Sequence, residues 1–163
     1  MLGNAAKGSS ISIVGVGAGS DTILLSGGSA AITAGGSTNF FVQGGTGTVL
    51  FQGGDGKSTI DGSTGSDTII GGRGEETVRG GTGADVFQFF ATTKGGFAAI
   101  NDFSTPDDTL RLTGYSSSQV TFDTNPGSGD IGITLSDGTR IVFGNSTNLG
   151  LTAATIASKI SFS

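Results

Sequence analysis

The chain has 163 residues, 32 of them glycine, with a net charge of −5 and neither cysteine nor histidine. Disulfides, thiolate chemistry and histidine-ligated metal sites are therefore excluded, and oxygen atoms remain as the metal ligands. The acidic residues are spread along the chain without a basic cluster, which argues against nucleic acid and anionic membranes as partners. No run of about eighteen apolar residues is present, so the sequence predicts no membrane span.

The high glycine content does not indicate disorder. Disordered segments contain few aromatic residues, whereas this chain contains eleven phenylalanines and its glycines recur in phase. The length fits one domain, or two small ones that share a continuous core.

The first part of the chain lacks the features of a secretory signal. Residues 1–20 have no basic start and no long apolar run, because glycine interrupts them repeatedly. The protein is therefore expected either to stay inside the cell or to be exported without an N-terminal signal. Residues 1–13 are interpreted as a loose lead-in.

A nine-residue period dominates the stretch from Gly44 to Gln88. It divides into the blocks GGTGTVLFQ, GGDGKSTID, GSTGSDTII, GGRGEETVR and GGTGADVFQ, each beginning with glycine. The eighth position is always apolar and reads Phe51, Ile60, Ile69, Val78 and Phe87. Because so short a unit can bury its apolar residue only against its neighbours, the period predicts a β-solenoid with these side chains in the core.

Degenerate units precede the regular ones. Val14, Ile23 and Ile32 are nine residues apart, and Val42 follows after ten, which indicates a single-residue slip. The sequence thus predicts a solenoid over residues 1–88, with degenerate repeats at 14–43 and regular repeats at 44–88.

Beyond Phe87 the period stops and longer strands begin. Short apolar or alternating runs are followed by GITLSDGTRIVFG at 132–144, which predicts a hairpin with a type I′ turn at Asp137-Gly138. A brief helix or turn is expected within 151–160, before a final ISFS strand. Residues 89–163 are accordingly predicted to form a separate β-rich region that caps the solenoid.

The turns of the repeat suit a calcium ion. Glycine at positions one, two and four allows carbonyl oxygens to face a common point, and aspartate at position six adds a carboxylate. Several oxygens at a flexible site are what Ca²⁺ prefers, whereas Mg²⁺ requires stricter octahedral geometry.

The repeat resembles that of the RTX family of calcium-binding β-rolls, G-G-x-G-x-D-x-U-x. GSTGSDTII and GGTGADVFQ match it well, and the segments INDFSTPDDTLRL, SDGTRIVF and LTAATI are similar to the C-terminal cap of that family. The resemblance implies an all-β fold, a parallel β-roll or β-solenoid followed by a β-sandwich-like C-terminal cap, with Ca²⁺ as the cofactor.

In such a roll two units form one coil, so residues eighteen apart stack. This places Asp67 next to Asp85 and implies a main calcium site. The carbonyl ligands expected there belong to Gly62, Thr64, Gly81 and Gly83. On the opposite side, Lys57 and Arg73 occupy the turns, and we expect protein cations to replace calcium partly through the pairs Asp55–Arg73 and Asp61–Arg79.

Three further acids are weaker calcium candidates. Glu76 lies at position six of its unit, while Asp102 and Asp108 match acidic positions in the cap of the family. For these two cap residues the alternative is that they are turn-forming acids, with Asp102 or Asp107 capping local backbone amides. Turn chemistry is also the alternative for Asp67 and Asp85.

No catalytic constellation is visible, so the chain is predicted not to be an enzyme. The resemblance implies export by type I secretion through the C-terminal region, and hence an extracellular or cell-surface location. A solenoid end without a cap suggests self-association into a filament, surface layer or matrix. One alternative is that the chain is a calcium-dependent folding, secretion or polysaccharide-binding module of a secreted enzyme. Another is that it is a free calcium-binding monomer. An extracellular polysaccharide is a further candidate partner.

Overall fold

Over residues 10–124, successive strands alternate between two sheets that face each other across a shared core. The computed structural model describes residues 10–15, 17–124 and 128–163. The strands are β1 (Ser10–Gly15), β2 (Ala18–Leu24), β3 (Ser29–Ala34), β4 (Ser37–Gln43), β5 (Val49–Gln52), β6 (Lys57–Asp61), β7 (Thr68–Ile70), β8 (Glu75–Arg79), β9 (Val86–Phe90), β10 (Phe97–Ile100), β11 (Thr109–Thr113), β12 (Val120–Thr124), β13 (Ile131–Leu135), β14 (Arg140–Phe143) and β15 (Ile160–Phe162). A 3₁₀ turn (Ser117–Gln119) and one short helix, α1 (Ala153–Ala157), complete the described elements.

The strand order confirms the predicted all-β parallel solenoid. The first sheet has the order β1-β3-β5-β7-β9-β11-β15, and the second has the order β12-β13-β14-β10-β8-β6-β4-β2. All neighbours pair in parallel except β12-β13-β14, which are antiparallel. Each pair of consecutive strands from β1 to β11 therefore contributes one strand to each sheet, which is the arrangement of a two-sided coil.

The repeat sets the core. Phe51 pairs in register with Ile69, and Ile69 pairs with Phe87, at intervals of eighteen residues. Val42, Ile60 and Val78 form the equivalent column in the second sheet. All six side chains are buried. Burying a large apolar side chain contributes roughly 1.5–3 kcal/mol, so these columns are a major source of stability.

The first coils are one residue longer than the regular ones. Ile23 pairs with Val42, and Ile32 pairs with Phe51, so the slip predicted between Ile32 and Val42 is present in the strand register. The prediction that Val14 begins the apolar column is wrong. Ile13 pairs with Ile32 and packs against the core, whereas the Val14 side chain is 64% exposed. A shift of one residue moves a strand side chain to the opposite face, and the longer coil makes that shift here.

Both sheets continue past residue 88. In the second sheet β10 pairs with β8, and in the first sheet β11 pairs with β9, again in parallel. The core is likewise continuous, since the ring of Phe103 packs against the rings of both Phe87 and Phe143. The division of the chain into residues 1–88 and 89–163, and the sandwich-like character of the cap, stay predictions.

The predicted hairpin forms between β13 and β14, but the prediction of a type I′ turn is wrong. Gly138 has a φ of +90°, whereas Asp137 is not among the described residues with positive φ, and a type I′ turn requires both. The amide of Gly138 donates to the carbonyl of Leu135, and the amide of Leu135 donates to the carbonyl of Thr139. This is a three-residue loop with glycine in the left-handed position, the next most common hairpin connection.

Within the described ranges, no helix is both long and apolar enough to span a bilayer. The helix expected within 151–160 is α1, in which the Thr152 side chain accepts a hydrogen bond from the amide of Thr155. Of the loose lead-in expected at residues 1–13, residues 1–9 lie outside the described residues. Residues 10–13 belong to β1, so the expectation is wrong for them.

Candidate metal centre

The turns of the solenoid form two columns, one along each side. The first column contains residues 44–48, 62–67, 80–85 and 101–108, and each of these turns leads into a strand of the first sheet. The second column contains residues 53–56, 71–74 and 91–96. Stacked turns contact each other through the backbone: the amide of Thr82 donates to Ser63, and the amide of Gly65 donates to Thr82. Each column can therefore present a continuous row of side chains.

A ladder of buried aspartates runs along the first column. Asp67 Oδ1 accepts the amide of Val49 at 2.7 Å, and Asp85 Oδ1 accepts the amide of Asp67 at 2.8 Å. Asp108 Oδ1 continues the row by accepting the amide of Asp85 at 3.0 Å. The stacking of Asp67 and Asp85 predicted from the eighteen-residue interval is thus observed, and each carboxylate binds the backbone of the preceding coil. We call Asp67, Asp85 and Asp108 the aspartate ladder.

Two oxygens of the aspartate ladder are buried without a partner. Asp67 Oδ2 and Asp85 Oδ2 have no hydrogen-bond donor among the described residues, although both residues are only 1% exposed. Each lies against a glycine: a Cβ on Gly62 would be 2.0 Å from Asp67 Oδ2, and one on Gly80 would be 2.1 Å from Asp85 Oδ2. The first glycine of the repeat is therefore required here by the space that the carboxylate occupies.

A backbone carbonyl lies next to the first of these oxygens. The carbonyl oxygen of Gly80 would be 2.5 Å from the same Cβ on Gly62, so it crowds the same point as Asp67 Oδ2. Gly80 was not among the residues expected from the sequence, although it occupies the same repeat position as Gly62. The expected carbonyl ligands Gly62, Thr64, Gly81 and Gly83 all belong to the two stacked turns, and their role as ligands stays a prediction.

Burial makes the charged form of these carboxylates unfavourable. It raises the pKa of Asp67 to about 7, with the neighbouring charges of Asp85 and Asp61 adding to the effect. The pKa of Asp85 is raised for the same reason, and that of Asp108 is raised to about 6. An ionised carboxylate is buried at a high cost unless a positive charge compensates it, so these groups need either protons or a cation.

Asp102 and Asp108 use their oxygens differently from Asp67 and Asp85. The two oxygens of Asp102 accept the amides of Gly80 and Gly81, and Asp108 Oδ2 accepts the amide of Ser104. Asp108 therefore binds a local backbone amide, which was the alternative to a calcium ion, whereas Asp102 binds two amides of the preceding coil. Burial raises the pKa of Asp102 as well. Their role as calcium ligands stays a prediction.

On the side of the second column, the described residues include one buried acid, Glu76, which lies in β8 directly after the turn at 71–74. Its Oε1 accepts the amide of Gly72 at 3.2 Å and would be 2.4 Å from a Cβ on Gly53. Its Oε2 is buried without a hydrogen-bond partner in the part of the chain that the structure describes, and burial raises the pKa of Glu76 to about 7. At the equivalent position one coil earlier, Ser58 Oγ accepts the amide of Phe40, so position six binds the preceding coil on this side as well.

The protein cations of the second column do not replace calcium in the way that was expected. Lys57 pairs with Glu75 at 3.0 Å, and both side chains are largely exposed. In the described part of the chain neither Asp55–Arg73 nor Asp61–Arg79 forms an ion pair, so these predicted pairs are wrong. Lys57 begins β6 with its side chain on the outer face, where it is adjacent in register to Glu75 rather than to a buried acid.

The donor set fits calcium better than a metal that needs several side-chain ligands. No group of three or more acidic side chains that could hold a metal exists among the described residues. A cation on the aspartate ladder would therefore combine one or two carboxylates with backbone carbonyls. Ca²⁺ accepts such flexible oxygen shells, whereas Mg²⁺ keeps strict octahedral geometry.

Comparison with known families agrees with this geometry. Residues 52–87 match the family model of the RTX calcium-binding nonapeptide repeat, in four copies. The resemblance to RTX repeats is confirmed for this segment. Repeats of this family bind Ca²⁺, in agreement with the cofactor predicted from the sequence. The matched segment contains Asp67, Glu76 and Asp85 but ends before Asp102 and Asp108.

Among solved structures, the chain is similar to the AlgE6R3 subunit of the mannuronan C5-epimerase from Azotobacter vinelandii, determined in solution. The two share 18% identity over 98% of this chain and 83% of that one, with a TM-score of 0.44. A likeness at this level carries no inference about function. No curated protein sequence matches the chain.

Proposed function

We propose that this chain is a secreted, non-enzymatic structural protein in which calcium holds the coils of the solenoid together. The observation that carries the proposal is the pair of buried, unpartnered oxygens Asp67 Oδ2 and Asp85 Oδ2 in stacked turns. Both belong to carboxylates whose other oxygen fixes the preceding coil, so a cation bound here acts on the contact between coils.

The proposed role of calcium follows from the cost of the buried charges. Without a cation the carboxylates repel each other and lack solvent, and both effects favour the open coil. A bound Ca²⁺ would neutralise them and engage carbonyl oxygens of the same turns, adding its binding free energy to the stability of the fold. Asp67, Asp85 and the carbonyl of Gly80 would hold the ion, with Glu76 as a second candidate in the other column.

Calorimetric titration of calcium tests this assignment. The double variant Asp67→Asn plus Asp85→Asn keeps the shape of both side chains but removes their charges, and we expect it to lose the main calcium-binding event. Asp55→Asn is the matched control, because Asp55 is an exposed acid in the turns of the second column. Equal calcium binding by the double variant and the control would contradict the assignment.

We also propose that the molecules associate through the end of the solenoid that contains β1 and β2. Each of these strands has a single sheet neighbour among the described residues, so its other edge presents unpaired backbone groups. Contacts of one end with a different surface of the next molecule would not close, and would give a filament or layer.

Electron microscopy of the purified chain, with calcium and with chelator, tests the association. We expect extended assemblies with calcium and their loss when chelator unfolds the coils. Single particles under both conditions would contradict it, while leaving the calcium assignment to the titration above.

Secretion is proposed on the basis of the repeat, because RTX repeats are typical of secreted proteins. We propose the extracellular space or the cell surface as the location and residues 89–163 as the region read by a type I secretion system. The alternative is that the chain serves as a calcium-dependent folding module of a secreted enzyme. Export of the chain from a host with and without a type I transporter, and with residues 89–163 deleted, would distinguish secretion from retention.

A further inference from the structure

A groove crosses the outer face of the second sheet, away from the metal-binding turns. It is lined by two rows of side chains that the register sets side by side: Phe41, Thr59 and Thr77 in one row, and Gln43, Asp61 and Arg79 in the other. The groove has a volume of about 230 Å³. We call it the outer groove.

An aromatic ring lies at one end of the outer groove. Phe41 is 47% exposed, while its neighbours Phe40 and Val42 point into the core and are buried. The burial pattern of β4 alternates strictly, so the ring of Phe41 is held on the solvent side by a well-anchored strand. What sets Phe41 apart from a singly exposed apolar residue is that its ring lines a groove together with several polar side chains.

The polar side chains of the outer groove are free to bind a ligand. Gln43, Thr59, Thr77, Asp61 and Arg79 make no side-chain hydrogen bond or ion pair with another described residue. Asp61 and Arg79 are direct neighbours in register, yet they do not form an ion pair. The groove thus offers hydrogen-bond donors and acceptors of both signs beside an apolar ring.

This combination indicates the chemistry of the ligand. One carboxylate and one guanidinium give the groove no net charge, so it does not favour a polyanion or a polycation. A pyranose ring has an apolar face that can stack on an aromatic side chain, and hydroxyl groups that both donate and accept hydrogen bonds. Pockets of this mixed kind fix orientation with a few polar groups around an apolar surface.

We propose that the outer groove binds a neutral sugar unit of a glycan, with Phe41 stacking on the ring and Asp61, Arg79 and Gln43 bonding its hydroxyl groups. The site is distinct from the aspartate ladder, which lies in the turns rather than on the sheet face, and the two sites adjoin at Asp61, whose charge acts on Asp67. It would allow the solenoid to attach to a polysaccharide while calcium holds the coils.

Amide chemical-shift mapping of the calcium-loaded full chain tests the site. The probes are neutral hexamers of β-1,4-linked glucose, β-1,4-linked mannose and α-1,4-linked glucose, with a hexamer of uronic acid as the charged comparison. At least one neutral hexamer is expected to shift amides of β4, β6 and β8 in a saturable manner.

Three variants localise the binding. Phe41→Ala is expected to weaken binding by at least about tenfold, which corresponds to about 1.4 kcal/mol. Phe41→Tyr keeps a flat ring and is expected to retain binding. Phe97→Ala is the matched control, because Phe97 is an exposed phenylalanine of the same sheet that does not line the outer groove.

Three results would overturn the proposal: no saturable shifts with any neutral hexamer, equal binding by Phe41→Ala and Phe97→Ala, or binding of the uronic acid hexamer alone. Calcium titration of each variant shows whether a loss of sugar binding is accompanied by a loss of calcium binding. Replacing Phe41 on the sheet face should leave calcium binding unchanged, whatever the sugar result.

Discussion

At the scale of single residues, position six of the repeat has two tasks. One carboxylate oxygen of Asp67 or Asp85 binds the amide of the preceding coil, and the other is buried beside a glycine without a partner. Ser58 performs the first task alone, through its hydroxyl group. We propose that the second task distinguishes a calcium-binding coil from a purely structural one.

Replacing the glycine at position one of the repeat tests whether the space around the carboxylate matters for calcium binding. In Gly62→Ala the added methyl carbon would lie 2.0 Å from Asp67 Oδ2, so the carboxylate must move. We expect calcium affinity to fall by at least about tenfold, measured by calorimetry. Gly95→Ala is the control, because a Cβ there meets nothing within 4 Å and its strain, from a φ of +71°, is confined to a loop outside the aspartate ladder. Equal affinity of the two variants would show that Gly62 does not shape the site.

The raised pKa values predict an unusual pH dependence without calcium. An acid whose pKa is higher in the folded than in the unfolded state binds more protons when folded, so stability falls as pH rises. The pKa values of Asp67 and Glu76 rise from 3.8 and 4.5 to about 7, which sets the window between about pH 4 and pH 7. In chelator, the free energy of unfolding should therefore decrease across this window by a few kcal/mol.

Chemical denaturation at several pH values measures this effect. In excess calcium the dependence should reverse, because protons compete with the cation for the same carboxylates. A stability in chelator that increases from pH 4 to pH 7 would contradict the burial of uncompensated charge.

At the scale of strands, the register of β1 is the most testable feature. Ile13 packs against the core and Val14 faces solvent. Ile13→Asp should therefore lower the free energy of unfolding by roughly 1–3 kcal/mol, while Val14→Asp should change it by less than about 0.5 kcal/mol. Urea denaturation in calcium compares the two variants. A larger effect at Val14 would contradict the observed register and support the strict nine-residue period that the sequence predicts.

The contrast between Ile13 and Val14 shows which part of the strand register the sequence specifies and which part it does not. From Val42 to Phe87 the apolar residues alone determine the register, because every interval is nine and the buried face follows directly. Nearer the start the coils are one residue longer, and a single apolar position no longer distinguishes Ile13 from Val14. The outcome there depends on pairing with β3, which is a tertiary contact.

In the candidate metal centre, too, part of the arrangement follows from the sequence and part does not. The stacking of Asp67 on Asp85 follows from their spacing, once two units are taken to form one coil. The contribution of Gly80 and the binding of Asp102 to the amides of Gly80 and Gly81 depend on backbone direction within the turns, which the residue pattern does not define. The outer groove was also missed, since it arises from the lateral alignment of three strands rather than from any local motif.

At the scale of the whole molecule, the aspartate ladder and the core contribute unequally along the solenoid. The ladder spans the coils from Val49 to Asp108, where each carboxylate binds the preceding coil. The coils before Val49 have no buried acid of this kind among the described residues and rely on packing and backbone pairing. Calcium should therefore stabilise the later coils most directly.

Hydrogen exchange can locate this difference. On removal of calcium, we expect amides of β7, β8 and β9 to lose more protection than those of β2 and β3. A uniform loss of protection in all strands would indicate that the coils open as one cooperative unit, and loss confined to β2 and β3 would contradict the location of the site.

The central claim is that calcium neutralises the buried carboxylates of Asp67 and Asp85, and thermal unfolding tests it most directly. The wild-type chain and the Asp67→Asn plus Asp85→Asn variant are each melted in excess calcium and in chelator at neutral pH. The account predicts a large calcium-dependent increase in Tm for the wild type and little or none for the variant, whose Tm in chelator should equal or exceed that of the wild type. An equal calcium-dependent increase in both proteins would contradict it.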